Sequence, residues 1–172
     1  MTDLTPEGTV RRMFDALNAR DYPRAAGAIA EDCQWESIAT GTTHRGPGPI
    51  VAGLREFVTA FPDWHVELDH IVASGEVAVV EWDTSGTFQN VFRGKPPNGR
   101  KFHRRGCAVA EVQGGKIVRY RDYYDRATLL QQLGLVGLTH RRDLHLAEAV
   151  FLEFDAGLKL LQREAELPQL RG

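Results

Sequence analysis

The sequence predicts an α+β fold, because helical segments come first and an antiparallel meander follows. Apolar residues recur at helical spacing up to Phe61, and strand-like alternation takes over from Trp64 to Tyr124. "SGE" and "QGGK" divide the later part as tight, Gly-containing hairpin turns.

Each element has its own local signal. In "DLTPEGTVRRMFDALNARD", Thr5 is an expected N-cap, Pro6 suits the first helical position and Glu7 lies just inside. Val10, Met13, Phe14 and Leu17 give that helix one apolar face. A short second helix is expected from Pro23 to about Ala30, followed by a short strand in "CQWES". "TGTTHRGPGP" reads as a loop, since Gly and Pro interrupt regular structure, and it releases a third helix, "IVAGLREFVTAF", that stops before Pro62. The candidate strands "WHVELDHIVAS", "EVAVVEWDTSGTF", "KFHRRGCAVAEVQ" and "KIVRYRDYY" are rich in Val, Ile and aromatic residues. Between the second and third of these, "NVFRGKPPNGR" is a longer loop whose Pro pair cannot join a ladder.

At Leu135 the pattern changes, which predicts one domain over 1–135 and an appendage over 136–172. The appendage reads as a connector and an amphipathic helix with Asp143 as N-cap. Leu144, Ala147, Phe151, Phe154, Leu158 and Leu161 follow the spacing of a helix that packs along another helix. Such a face is expected to cover its own domain or a twin subunit, with the twin favoured.

With 172 residues, the chain is long enough to bury a core without covalent staples. The formal charge of −2 and the lack of a Lys/Arg stripe argue against nucleic acid or an anionic membrane surface as partner. No apolar run approaches the roughly 20 residues of a membrane span. "MTDLTPEGTV" lacks the features of a secretory signal. Cys33 and Cys107 have no CxxC spacing and read as reduced thiols. The six histidines form no HxH or HExxH arrangement, so no metal site is expected. His65 and His70, five apart in one strand, are expected on opposite faces, and His44 lies in a loop from which it could reach a pocket mouth. The expectation is a soluble cytoplasmic protein.

One strand raises a chemical question. Alternation in "KIVRYRDYY" puts Val118, Tyr120, Asp122 and Tyr124 on one face and Arg119, Arg121 and Tyr123 on the other. A lone carboxylate among Val and aromatic rings would have its pKa raised by desolvation if that face lines a pocket. It could then exchange protons with a guest near neutral pH. The competing reading is a surface ion pair between Asp122 and a neighbouring Arg.

"GKPPNGR" at Gly94–Arg100, "GGKI" at Gly114–Ile117 and "LLQQLG" at Leu129–Gly134 resemble the loop, turn and helix motifs of the SnoaL-like polyketide cyclases. The helix "VRRMFDALNARD" is similar to that family's first helix, so the resemblance spans roughly residues 8–135. It implies a nuclear-transport-factor-2-like cone: a curved, mostly antiparallel sheet wrapped by helices around one deep pocket, paired as a homodimer. By position, the family's acid/base aspartate falls on Asp122, which would move a proton during intramolecular aldol closure of a hydrophobic, carbonyl-bearing substrate. No cofactor is implied. Tyr120, Tyr124, Trp82, Glu81, Leu17, Phe57, Arg104 and Phe102 are the expected pocket residues. Some cyclases place a histidine where this chain has Ala108, and His103 lies on the other face by parity. "YRDYYD" also resembles limonene epoxide hydrolase, which would pair Asp122 with Asp83 as a two-aspartate site. Glu81 then stands at the arginine position, and Arg104 is a candidate substitute. A third alternative is a non-catalytic binding or dimeric interaction module.

Overall fold

The computed structural model describes residues 4–136, and the connector and amphipathic helix expected beyond Leu135 lie outside them. Helix α1 (Pro6–Asn18) begins as its composition dictates. The Thr5 hydroxyl accepts from the Gly8 N–H at 3.1 Å, and Val10, Met13, Phe14 and Leu17 are buried. Helix α2 (Tyr22–Gly27) is capped by the Asp21 carboxylate, which accepts from the Arg24 N–H at 3.0 Å. It ends before the expected Ala30 because Ile29 and Ala30 already belong to the first strand. Helix α3 (Pro47–Ala60) takes up the Pro residues that were expected in a loop. A first turn tolerates Pro because its N–H groups have no helical partner. Helix α4 (Arg126–Gln132) is capped by Asp125, which accepts from the Thr128 N–H at 3.0 Å.

The strands are β1 (Ile29–Ser37), β2 (Thr42–Arg45), β3 (His65–Ser74), β4 (Val77–Thr87), β5 (Lys101–Gln113) and β6 (Lys116–Tyr124). They form one curved, open sheet in the order β2-β1-β6-β5-β4-β3. Only β1 and β6 run parallel; the other neighbouring pairs are antiparallel. The α+β class is therefore as predicted. The expected loop "TGTTHR" instead supplies β2, which folds back on β1 around Gly41 at φ 67°. The "QGGK" turn brings Gly114 and Gly115 to positive φ, as a two-residue hairpin of the right twist requires.

Two bulges correct the parity reading. Asp69 is skipped in the β3–β4 ladder, where Leu68 faces Trp82 and His70 faces Glu81. His70 therefore joins His65 on the outer face, where both are exposed. Val118 is skipped in the β5–β6 ladder, so Ile117, fully buried, takes the inner position expected for Val118. Tyr120, Asp122 and Tyr124 keep their shared inner face.

Helix α1 packs across β3 to β6, and α3 against β1 and β2. The Asn18 side chain ties α1 to the sheet edge, donating to the Val66 carbonyl at 2.8 Å and accepting from its N–H at 3.0 Å. Phe57, Phe61, Phe88, Phe92 and Phe102 form a continuous ring cluster, with centroids 4.6–5.9 Å apart. Among the described residues no helix is long and apolar enough to cross a membrane.

The closest packing is at Gly106, where a Cβ would stand 2.2 Å from Cζ2 of Trp82 and 2.7 Å from the Tyr123 carbonyl oxygen. Gly106→Ala must displace the Trp82 ring. We expect a loss of about 1–3 kcal/mol in urea unfolding, and an unchanged midpoint would show that the ring is not held there.

Candidate functional site

The β6 register decides what surrounds Asp122. Its partners across the ladders are Ala108 on β5 and Ser37 on β1, and Ala108 in turn faces Val80 on β4. Ala108 and Val80 are fully buried. Tyr120, one step along, is buried and stacks on Trp35 with ring centroids 3.7 Å apart. At the next step outward, Tyr124 faces Gly106, whose missing side chain lets Trp82 lie across the strand. The carboxylate thus sits on a predominantly apolar inner face, between two aromatic pairs.

Burial raises the Asp122 pKa above its ordinary value, while Ser37, the charge of Arg104 and Trp35 draw it partway back. Asp122 Oδ1 and the Ser37 hydroxyl are each buried without a completed hydrogen bond. In a folded interior such groups are uncommon and costly. The Tyr120 hydroxyl is pushed well above its usual pKa by burial and by the nearby Asp122 charge, so it stays protonated and available as a donor.

Arg104 enters the same interior from β5, where it faces the buried Thr84. Its guanidinium lies 4.3 Å from the ring centroid of Tyr124, 5.1 Å from Trp82 and 5.5 Å from Phe57. Phe102, two residues earlier, is buried in the ring cluster with Phe57. Asp122 and Arg104 both keep some exposure, so neither is sealed from solvent.

The expected residues therefore divide. Asp122, Tyr120, Tyr124, Trp82, Arg104 and Phe102 share the inner face; Phe57 joins them from α3, and Leu17 is buried on α1. Asp83 and Glu81 do not join them. They flank Trp82 on β4 and project outward, where Asp83 meets His103 at 2.7 Å and Arg105 at 3.9 Å, and Glu81 meets His70 at 3.2 Å. The two-aspartate arrangement of Asp122 with Asp83 is not assembled, because adjacent residues of a strand point to opposite faces. Neither Ser37 nor Trp35 is marked as a site residue by the local sequence of "CQWES". The signal for both is a parallel pairing of β1 with β6, across about eighty residues of chain, that no local pattern encodes.

His44 lies on β2, in register with Trp35, and is half-buried; burial and then the Arg93 charge lower its pKa, so it is neutral at ordinary pH. Cys33 is buried and its thiol is pushed up to about 11, which makes it unreactive. Among the described residues no group of His, Cys, Asp and Glu is arranged to hold a metal ion.

Comparison with known proteins agrees with this fold. IdmH of Streptomyces antibioticus, a proposed polyketide cyclase, is 26% identical with a TM-score of 0.67 over 75% of this chain and 98% of its own. A proposed polyketide cyclase from Pseudomonas putida is 24% identical, with a TM-score of 0.64 over 75% of this chain and 98% of its own. A protein of ketosteroid isomerase-like fold from Catenulispora acidiphila is 22% identical, with a TM-score of 0.63 over 76% and 94%. No curated protein matches the chain. The model of the SnoaL-like polyketide cyclases matches residues 8–133. With that match over most of its length, this chain belongs to the SnoaL-like polyketide cyclase family.

Proposed function

We propose that the protein is a cofactor-independent acid/base enzyme that closes a ring in a hydrophobic, carbonyl-bearing substrate of the polyketide type. One observation carries the reading: Asp122 holds a buried, unpartnered carboxylate oxygen on an inner face made largely of apolar and aromatic side chains. Membership of the SnoaL-like family and the likeness to IdmH support a cyclase over other acid/base reactions. In this reading Asp122 takes a proton from an acidic C–H between carbonyls and later returns it to the oxygen of the carbonyl under attack. A carboxylate whose pKa lies above its ordinary 3.8 is a stronger base than a solvated one and a usable acid afterwards. Tyr120 and Tyr124 orient the substrate, and Trp82, Phe57 and Phe102 exclude water from it.

The test is exchange of the acidic C–H of a β-keto ester in heavy water, followed by nuclear magnetic resonance. Asp122→Asn is expected to lower the enzyme-dependent rate by about 10²-fold or more. An undiminished rate would remove Asp122 from the chemistry and favour a passive binding module. The wild-type rate should rise with pH through a midpoint above 3.8, because the base is the ionised form.

The same group affects stability. Its folded-state pKa is raised, so its contribution is fully present below the ordinary carboxylate range and is lost as pH rises through the raised value. Asp122→Asn cannot ionise. Its Tm should exceed that of the wild type at neutral pH, and the gap should close toward about pH 4. A lower Tm at neutral pH would mean that the ionised carboxylate is well accommodated.

The reading includes a homodimer paired through the outer face of the sheet. Support comes from Val72 and Val79, which face each other across β3 and β4 with 70% and 39% exposure, next to Val109 on β5. Val79→Asp is expected to shift the protein toward monomer in sedimentation equilibrium; an unchanged mass would place the contact elsewhere.

A further inference from the structure

Arg104 presents an unsolved electrostatic problem. Its Nε is buried without a hydrogen-bond partner. Among the described residues it takes part in no ion pair, whereas Arg105, Arg121 and Arg11 all do. Its neighbours are the ring faces of Tyr124, Trp82 and Phe57 and the hydroxyl of Tyr124, which attract a cation without neutralising it. A guanidinium stays protonated in proteins, so burial leaves a positive charge with N–H groups still to be satisfied. Asp122, the carboxylate that attracts it, forms no ion pair with it among the described residues and has an unpartnered Oδ1 of its own. The inner face thus holds one cation and one anion, both incomplete and both partly accessible.

We infer that Arg104 binds the oxyanion of an enolised 1,3-dicarbonyl group while Asp122 carries the proton taken from it. The inference rests on the acid/base reading above and names both the substrate's reacting group and a second catalytic residue. Charge balance is the reason for preferring an enolate to a permanent carboxylate. Before reaction, Arg104 is offset by ionised Asp122 and the dicarbonyl is neutral. When the C–H bond breaks, its proton forms an O–H bond on Asp122, and its electron pair moves onto a carbonyl oxygen. The single negative charge has passed from Asp122 to the substrate, and Arg104 offsets it in both states. A permanent anion would add a second negative charge beside Asp122 and be repelled.

Ring closure then completes the proton cycle. The enolate carbon forms a C–C bond to a second carbonyl, whose oxygen receives the electron pair and takes the proton back from Asp122. Nothing is oxidised or reduced, and Asp122 returns to its starting form. Arg104 can hold the oxygen with paired N–H donors, a geometry that Lys cannot reproduce.

The experiment uses acetylacetone as probe and follows the ultraviolet band of its enolate on the full-length protein at fixed pH. Wild type should bind the enolate in preference to the neutral form. Arg104→Met, of similar bulk and apolar, should weaken enolate binding by about 10- to 100-fold. Arg104→Lys should recover part of the loss, and Asp122→Asn should keep enolate binding while losing the exchange reaction. Enolate binding that is equal in wild type and Arg104→Met, or no enolate band with wild type, overturns the inference. If Arg104→Met loses binding while Asp122→Asn still catalyses exchange, the role of Arg104 stands and that of Asp122 falls. If Asp122→Asn is inactive and Arg104→Met binds normally, the reverse holds.

Discussion

The register between β5 and β6 is the constraint from which the site follows. It sets Tyr120 opposite Ala110, Asp122 opposite Ala108 and Tyr124 opposite Gly106, and a slip of one residue would carry all three β6 side chains to the outer face. The two-residue Gly114–Gly115 turn pins that register from one end, since both residues sit at positive φ where larger side chains are strained. The bulge at Val118 then realigns the strand so that Ile117 and Tyr120 are both buried. Local backbone geometry at the turn therefore determines which chemistry the interior contains some twenty ångströms along the strand.

Beside the polar groups of the inner face stand the smallest side chains of β5. Gly106, Ala108 and Ala110 alternate along it, and across from them lie Tyr124, Asp122 and Tyr120. Trp82 crosses over Gly106, and Trp35 stacks on Tyr120. Large rings fit because the facing strand is short in side-chain volume. Close packing of this kind restricts the rotamers of the residues around Asp122, which is what an acid/base group needs from its surroundings.

The two faces of the sheet treat charge differently. On the outer face, carboxylates and cations meet: Asp83 with His103, Asp69 with Arg105, Glu111 with Arg121. These pairs are partly exposed and add little to stability. On the inner face, Arg104 lies against the rings of Tyr124 and Trp82, it forms no ion pair with Asp122 among the described residues, and Asp122 Oδ1 and Arg104 Nε are each buried without a partner. Folding alone gains nothing from that arrangement. A ligand that supplied both partners would remove the penalty.

The sequence by itself determined the elements and the alternation: the Thr5 cap, the Gly-rich turns and the four long strands are local matters of backbone freedom and side-chain period. It also placed Asp122 among Tyr120 and Tyr124, because parity within one strand needs no long-range information. Parity failed at Asp69 and Val118, where a bulge changes the count and leaves no compositional mark. The strand in "TTHR" was hidden because it forms only against β1. Tertiary structure alone decided that Ser37 and Trp35 flank the carboxylate, that Asp83 turns away from it, and that Arg104 lies over the Tyr124 ring with its Nε unpartnered. Those outcomes depend on pairings between distant segments, whose energy comes from burying shared surface and not from any residue's own preference.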